Sequence, residues 1–110
     1  MSKIKDVIEG ALGASVWQPT ETKGLDYALL RAHESGGATV FLRFVKGTHG
    51  AEHTHPGGEE LFVVSGDISI GGKRVKAGDY LYTPPDATHD AIAHEATVLL
   101  LNLPKLPVFI

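Results

Sequence analysis

From Leu25 onward the chain alternates short runs of apolar and polar residues, separated by glycine, proline and other turn residues. A period of two with frequent turn signals is typical of short β-strands in a sandwich or barrel. We expect about nine strands, and the Gly71-Gly72 pair between two of them predicts a two-residue hairpin. The clearest segments are 25–32, 39–45, 61–64, 67–70, 73–75, 80–83, 88–93 and 96–103.

The pattern before the first strand is different and predicts a short helix over residues 2–12, ending near Gly13. Such a helix is marginal alone, so we expect it to pack over one end of the domain rather than to contact a membrane or a partner. The sequence thus divides into an N-terminal extension, 1–24, and an all-β barrel, 25–110, within one domain. The apolar residues at helical spacing are Ile4, Val7, Ile8, Ala11 and Leu12.

Composition narrows the function classes. A chain of 110 residues supports one hydrophobic core, and a formal net charge of -3 argues against nucleic-acid binding. There is no cysteine, which removes disulfides and thiolate ligands and leaves imidazole and carboxylate as the plausible metal ligands. No apolar run near the N-terminus is long enough for a signal peptide or a membrane helix. We therefore expect a cytoplasmic protein with no membrane or nucleic-acid partner.

His53, His55 and Glu59 form the most informative constellation in the chain. On a strand, His53 and His55 point to the same side, about 7 Å apart, and can converge on one ion. Pro56-Gly57-Gly58 cannot continue a regular strand and predicts a turn that returns Glu59 toward the histidines. The three side chains are therefore candidate metal ligands.

A solvated hairpin with an exposed Glu59 is the alternative interpretation of this segment. Glu59 has the same parity as Leu61 and Val63, so it faces inward if they belong to the core. An unpaired buried carboxylate is costly, and a metal ion would remove that cost. The position of Glu59 on the same side of the strand as Leu61 and Val63 therefore favours metal binding by Glu59.

These residues resemble the first sequence motif of the cupins, which form a double-stranded β-helix or jelly-roll barrel. That motif runs glycine, five residues, His-x-His, three or four residues, glutamate, six residues, glycine. Gly47, His53, His55, Glu59 and Gly66 match every position. The stretch 53–67 is similar to the group that contains the cupin domain of anti-sigma factors and diketone-type dioxygenases. The anti-sigma proteins carry an additional helical domain, which residues 1–24 are too short to supply.

The second cupin motif is matched less completely. Gly78, Pro84 and His89 fit it, whereas Asp86 stands at a glycine position and Ala93 at an asparagine position. Asp86 tolerates turn conformations, but Ala93 removes a polar group that would share the face of His89. A histidine that only closes a strand turn is the alternative for His89.

The resemblance implies a site of three histidines and one glutamate: His53, His55, Glu59 and His89. Such ligands suit one divalent transition metal, Fe, Mn, Ni, Zn, Co or Cu, and leave two positions of an octahedral ion open for water or a small molecule. Because histidine binds in its neutral form, we expect occupancy to fall below about pH 6. The function implied is a metal-dependent dioxygenase or isomerase. The alternatives are a non-catalytic small-molecule or redox sensor, and a structural dimer.

Other side chains are weaker candidates. His33 and His94 are expected at the surface, and His49 either controls access to the site or faces water. Tyr80 and Tyr82 could offer a phenol to the pocket, although core or interface packing is the commoner outcome. An enzyme needs a positioned proton-transfer group besides the ligands, and only His49, Tyr80 and Tyr82 could supply it.

A homodimer is expected because the segments 61–64 and 98–101 are apolar on both faces. Strands of this kind are covered on two sides, as packing on a second copy would provide. Trp17 is expected to anchor the core or an interface. Arg43 interrupts an apolar strand, where it either holds an anionic substrate or extends its head group to water.

Overall fold

The computed structural model describes residues 5–109, and nearly all regular structure in them is β. The predicted strands are present, and further short strands join them at both ends of the chain. The Gly71-Gly72 hairpin is confirmed, because Ile70 pairs with Lys73 directly across it. The strands are β1 (Gln18–Pro19), β2 (Leu25–Ala32), β3 (Ala38–Phe44), β4 (His49–Thr54), β5 (Glu59–Ser65), β6 (Asp67–Ile70), β7 (Lys73–Lys76), β8 (Tyr80–Thr83), β9 (Thr88–Ala93), β10 (Thr97–Leu103) and β11 (Val108–Phe109).

The strands form two antiparallel sheets. The six-stranded sheet has the order β1-β2-β3-β10-β5-β8, and the five-stranded sheet has the order β11-β4-β9-β6-β7. Within residues 5–109, no strand pairing joins the two sheets. The all-β prediction is therefore confirmed, but the closed barrel is not: hydrogen-bonded ladders end at the sheet edges, and turns make the connections.

The hydrophobic core lies between the sheets and follows the strand period. Along β5, Glu59, Leu61 and Val63 are buried, while the residues between them face outward. Alternate residues of β10 are buried in the same way. The core comprises Ala38, Val40, Phe44, Leu61, Val63, Ile68, Ile70, Val75, Ala91, Ala93, Leu99, Leu101 and Leu103.

The predicted N-terminal helix is wrong over the described residues. Residues 5–11 are not helical, and only a single 3-10 turn forms, at Leu12–Ala14. Residues 2–4 of the prediction lie outside the described part of the chain. Val7 and Ile8 remain 53% and 66% exposed, so no buried face stabilises a helix that is too short to persist alone. In the described range, no helix is long and apolar enough to cross a membrane.

Candidate metal centre

A tight turn brings His55 and Glu59 together. His53 lies in β4, and His55 follows one residue beyond its end, where the backbone N–H of Gly58 donates to the carbonyl of His55 at 2.9 Å. Gly58 has φ +78°, a conformation that side chains other than glycine rarely adopt. The chain reverses there and enters β5 at Glu59. The predicted turn at 56–58 is therefore present.

Strand pairing brings the fourth residue to the same place. His89 on β9 is the direct partner of His53 on β4 in the five-stranded sheet. Glu59 belongs instead to the six-stranded sheet, where it pairs with Thr83 of β8. The cluster thus lies between the two layers, with the glutamate on one sheet and two of the histidines on strands of the other.

The distances between these side chains suit a single ion. His55 Nε2 lies 3.0 Å from His89 Nε2 and 3.1 Å from Glu59 Oε2, and the four potential ligand atoms all lie within 4.8 Å of one another. Adjacent ligands of an octahedral ion at about 2.1 Å are separated by about 3 Å. The three imidazole centroids lie 4.5 to 4.8 Å apart. His53, His55, Glu59 and His89 therefore have both the chemistry and the spacing to hold one transition metal.

Two of the three imidazoles are held by hydrogen bonds at Nδ1. The Nδ1 of His53 lies 2.7 Å from the carbonyl oxygen of Ala51, to which it can only donate. The Nδ1 of His89 lies 3.4 Å from the hydroxyl of Thr83, a longer contact. His55 is 1% exposed, and its Nδ1 has no hydrogen-bond partner within the described range. The carbonyl of Ala51 fixes both the orientation and the tautomer of His53, whereas the hydroxyl of Thr83, which can donate or accept, bears only on the orientation of His89.

Burial changes which groups carry protons. It lowers the pKa of His55 to about 4, with further lowering from His53 and His89, and it raises the pKa of Glu59 to about 7. The pKa of His89 is also lowered to about 4, by burial first and then by His53, against the opposing effect of Asp90. Near neutral pH, the imidazoles of His55 and His89 are therefore neutral, as metal binding requires.

The structure accommodates both departures from the second cupin motif, Asp86 and Ala93. Asp86 has φ +66°, so it adopts the left-handed conformation that a glycine at this position would adopt. Its backbone N–H donates to the carbonyl of His55 at 3.0 Å and connects this turn to the first one. Ala93 is 1% exposed and belongs to the apolar core, so the missing asparagine leaves no gap in the core.

None of the other predicted acid–base candidates belongs to the cluster. His49 is exposed and pairs with Asp90 at 2.7 Å. Tyr80 and Tyr82 alternate with the inward-facing residues of β8 and are 58% and 54% exposed. His33 and His94 are half-buried and hydrogen-bond to Thr39 and Ser69 respectively.

Arg43 and Trp17 interact with each other on the outside of the six-stranded sheet. The guanidinium carbon of Arg43 lies 4.4 Å from the centre of the Trp17 ring, and its Nε donates to Asp26 at 3.0 Å. Arg43 is therefore an exposed, paired cation rather than a group that holds a substrate between the sheets. Trp17 packs on the outer face and is not in the core.

Among the described residues, Thr83 is a side-chain contact of the cluster that was not predicted from the sequence. It is buried, ends β8 and faces both Glu59 and His89. The available signal was its parity with the inward-facing Leu81, together with its position directly before Pro84-Pro85.

Two layers of antiparallel strands with a cluster of three histidines and one glutamate between them define a cupin. The family model described as the ChrR cupin-like domain matches residues 8–106, and the chain belongs to this family. The resemblance to cupins is thus confirmed. No curated protein sequence matches the chain significantly.

Several solved structures share the fold. A protein of Methylibium petroleiphilum described provisionally as an acetylacetone dioxygenase is 24% identical, with a TM-score of 0.86 over 100% of this chain and 84% of the other. An acetylacetone dioxygenase of Acinetobacter johnsonii is 17% identical, with a TM-score of 0.75 over 99% and 76%. The complex of SigE with the anti-sigma ChrR from Rhodobacter sphaeroides matches at 22% identity, with a TM-score of 0.72 over 83% of this chain and 49% of that chain.

Proposed function

We propose that His53, His55, Glu59 and His89 bind one divalent transition metal and that the protein uses it to act on a small molecule. The observation that carries this proposal is that the buried Nε2 of His55 lies 3.0 Å from the Nε2 of His89 and 3.1 Å from a carboxylate oxygen of Glu59. A cluster of this kind has no simpler role in a core, because burying a carboxylate without a cation is costly. The contacts of Ala51 with the Nδ1 of His53 and of Thr83 with the Nδ1 of His89 support the proposal, since metal-binding histidines usually have such partners.

We propose iron for the catalytic form. Nitrogen and oxygen ligands without sulfur suit iron and manganese, whereas the general affinity order favours copper, nickel or zinc in purified protein. When bound, such an ion supplies Lewis acidity and, in the case of iron, the electrons for chemistry with O2. The four side chains would hold the ion between the sheets, with the remaining coordination positions available to the substrate.

The proposed substrate is a small molecule with two neighbouring oxygen donors, such as a β-diketone or a catechol, and the proposed reaction is dioxygenation. The structural similarity to acetylacetone dioxygenases supports this class. Glu59 is the only carboxyl group of the cluster, and as a ligand it would bind the ion in its deprotonated form.

A metal-dependent sensor or binding module is the second candidate. The observation that favours it is the outward orientation of His49, Tyr80 and Tyr82, which leaves no predicted acid–base side chain beside the ligands. The structural similarity to the anti-sigma ChrR, which binds SigE, agrees with a binding role. A binding module needs the metal and a small ligand, but no proton-transfer group.

Elemental analysis of the wild type, of His55→Ala and of His49→Ala tests the metal site. The His49 variant is the matched control, because it removes a histidine that lies outside the cluster. We expect about one metal per chain in the wild type and in His49→Ala, and little in His55→Ala. Full metal content in His55→Ala would contradict the assignment.

Oxygen uptake separates the two functions. Iron-loaded protein is mixed with a panel of β-diketones and catechols, and O2 consumption is followed with an electrode. The enzyme proposal predicts turnover that His55→Ala loses and His49→Ala keeps. Metal binding without turnover on any compound would favour the sensor.

A further inference from the structure

The segment that follows β10, residues 104–109, lies against the chain that carries the candidate metal ligands. Its first residue is held by Ser35, in the turn between β2 and β3, whose hydroxyl donates to the carbonyl of Pro104 at 2.9 Å. Its end forms β11, which pairs with His53 and Thr54 of β4. This segment, the strap, therefore connects the turn between β2 and β3 with the strand of a candidate ligand.

In its middle, the strap lies directly on the turn at 56–58. An added Cβ at Gly57 would lie 3.0 Å from the backbone nitrogen of Lys105 and 3.1 Å from the Cβ of that residue. His55 and Glu59 flank this turn, and they are 1% and 4% exposed. The strap thus covers the piece of chain that positions two of the four candidate ligands.

The strap is held weakly compared with β10, which precedes it. Leu103, the last residue of β10, is 5% exposed, whereas Leu106 and Val108 in the strap are 58% and 52% exposed. β11 has two residues and lies at the edge of its sheet. Segments with little buried apolar surface and few backbone hydrogen bonds open at a much lower free energy than the whole fold. We therefore expect the strap to open while the sheets stay folded.

Opening matters because the candidate ligands are poorly accessible. His55, Glu59 and His89 are buried, and His53 is half-buried. An ion held among them could leave only if part of the surrounding chain moved. The strap contacts both the turn at 56–58 and β4, so its release frees both at once.

We propose that the strap controls exchange of the metal: when closed it retains the ion, and when open it lets the ion enter or leave. This inference rests on the metal site of the proposed function. If the ion passes only through the open state, weaker closure raises the rates of uptake and release by the same factor and leaves Kd unchanged. A strap that served to position the ligands would change Kd instead.

Ser35→Ala and Gly57→Ala loosen the strap at two separate points, and Gly13→Ala is the matched control. The first removes the hydrogen bond to Pro104, and the second brings a methyl group against Lys105. Neither glycine has a positive φ, so alanine adds no backbone strain at either position. An added Cβ at Gly13 would meet nothing within 4 Å.

Two measurements report on the strap. Stopped-flow mixing with a chelating dye gives the rates of Zn²⁺ uptake and release, extrapolated to zero dye. Tryptic cleavage after Lys105 in the metal-free protein reports opening without any metal, because a protease cuts the transiently opened chain. Circular dichroism verifies that each variant is folded.

We expect Ser35→Ala to raise both exchange rates about 3-fold, the effect of one exposed hydrogen bond, and Gly57→Ala to raise them about 10-fold through crowding. Kd should stay the same, tryptic cleavage should accelerate in the same order, and Gly13→Ala should match the wild type. Wild-type rates in both strap variants of a metal-binding protein would overturn the strap alone, as would a raised Kd in Ser35→Ala with unchanged uptake. A wild type that binds no metal would overturn the proposed metal site, and this inference with it.

Discussion

At the scale of single residues, burial shifts the pKa values of the histidines and of the glutamate in the cluster in opposite directions. From the sequence, the histidines were expected to set the pH limit of metal binding, at about pH 6. In the structure, the pKa of His55 and of His89 is lowered to about 4, whereas the pKa of Glu59 is raised to about 7. Below neutral pH, the metal must therefore displace a proton from Glu59 before those two histidines begin to compete.

Proton release should make this visible. At pH 6, Glu59 is mostly protonated in the metal-free protein, so metal binding releases about one proton from it; at pH 8.5 it releases none from this group. Titration calorimetry in buffers of different ionisation enthalpy measures the number. Glu59→Gln should release about one proton fewer at pH 6. An equal number in both proteins would show that Glu59 is already ionised.

Thr83 should act on the metal through His89. Thr83→Val keeps the shape but removes the hydroxyl that contacts His89 Nδ1, and we expect metal affinity to fall about 10- to 100-fold. Thr83→Ser retains a hydroxyl and should restore most of the affinity. Competition with a chelating dye gives the affinities. Valine keeps the methyl group and lacks the hydroxyl, whereas serine keeps the hydroxyl and lacks the methyl group. Equal losses in both variants would therefore indicate that packing, and not the hydroxyl contact, determines the affinity.

At the scale of secondary-structure elements, the turns position the side chains of the candidate metal site. The turn after β4 depends on Gly58, where an added Cβ would lie 3.1 Å from the carbonyl oxygen of Thr83. The hairpin glycine Gly72 has a similar φ, +80°, but an added Cβ there would meet nothing within 4 Å. An alanine at Gly72 would therefore report the effect of backbone strain alone, whereas an alanine at Gly58 would add crowding at the site.

Gly58→Ala should destabilise the fold by about 1 to 3 kcal/mol and also weaken metal binding, because the turn places Glu59 opposite His55. Gly72→Ala should cost about 1 kcal/mol and leave metal binding unchanged. Chemical denaturation and metal titration of both variants check this. Unchanged affinity in Gly58→Ala would mean that Glu59 reaches its position without the turn.

The elements that the sequence predicts well are those in which pattern and packing agree. Short apolar runs bounded by turn residues located β5 and β10, and the paired glycines located the hairpin between β6 and β7. The N-terminal helix was predicted from spacing alone, and it failed because its apolar side chains find no buried surface. The spacing of the two histidines and Glu59 sufficed for the site, whereas the contact of Thr83 depends on register between strands distant in sequence.

At the scale of the whole molecule, the cluster connects two layers that no strand pairing joins in the described part of the chain. Glu59 comes from the six-stranded sheet, and His53 and His89 come from the five-stranded sheet. An ion bound by all of them would hold the layers together at that end. A closed barrel could not be distinguished from two open sheets by sequence, because inward-facing and outward-facing residues alternate along the strands in both.

Metal should therefore stabilise the fold. At a free concentration 100 times Kd, it adds about 2.7 kcal/mol to the free energy of unfolding, which corresponds to a rise in Tm of roughly 10 °C. Differential scanning fluorimetry before and after treatment with a chelator measures the shift. His49→Ala should show the full shift and His55→Ala almost none. A shift retained in His55→Ala would place the stabilising metal elsewhere.

The lone Nδ1 of His55, without a partner in the described part of the chain, has a consequence for the tautomer of that ring. A buried N–H without an acceptor is costly, so the neutral ring favours its proton at Nε2, which faces Glu59 and His89. Nε2 is also the nitrogen that would bind the ion, so the proton must move to Nδ1 as the cation enters. The carbonyl of Ala51 sets the tautomer of His53 in advance, whereas His55 has to exchange one tautomer for the other on arrival of the metal.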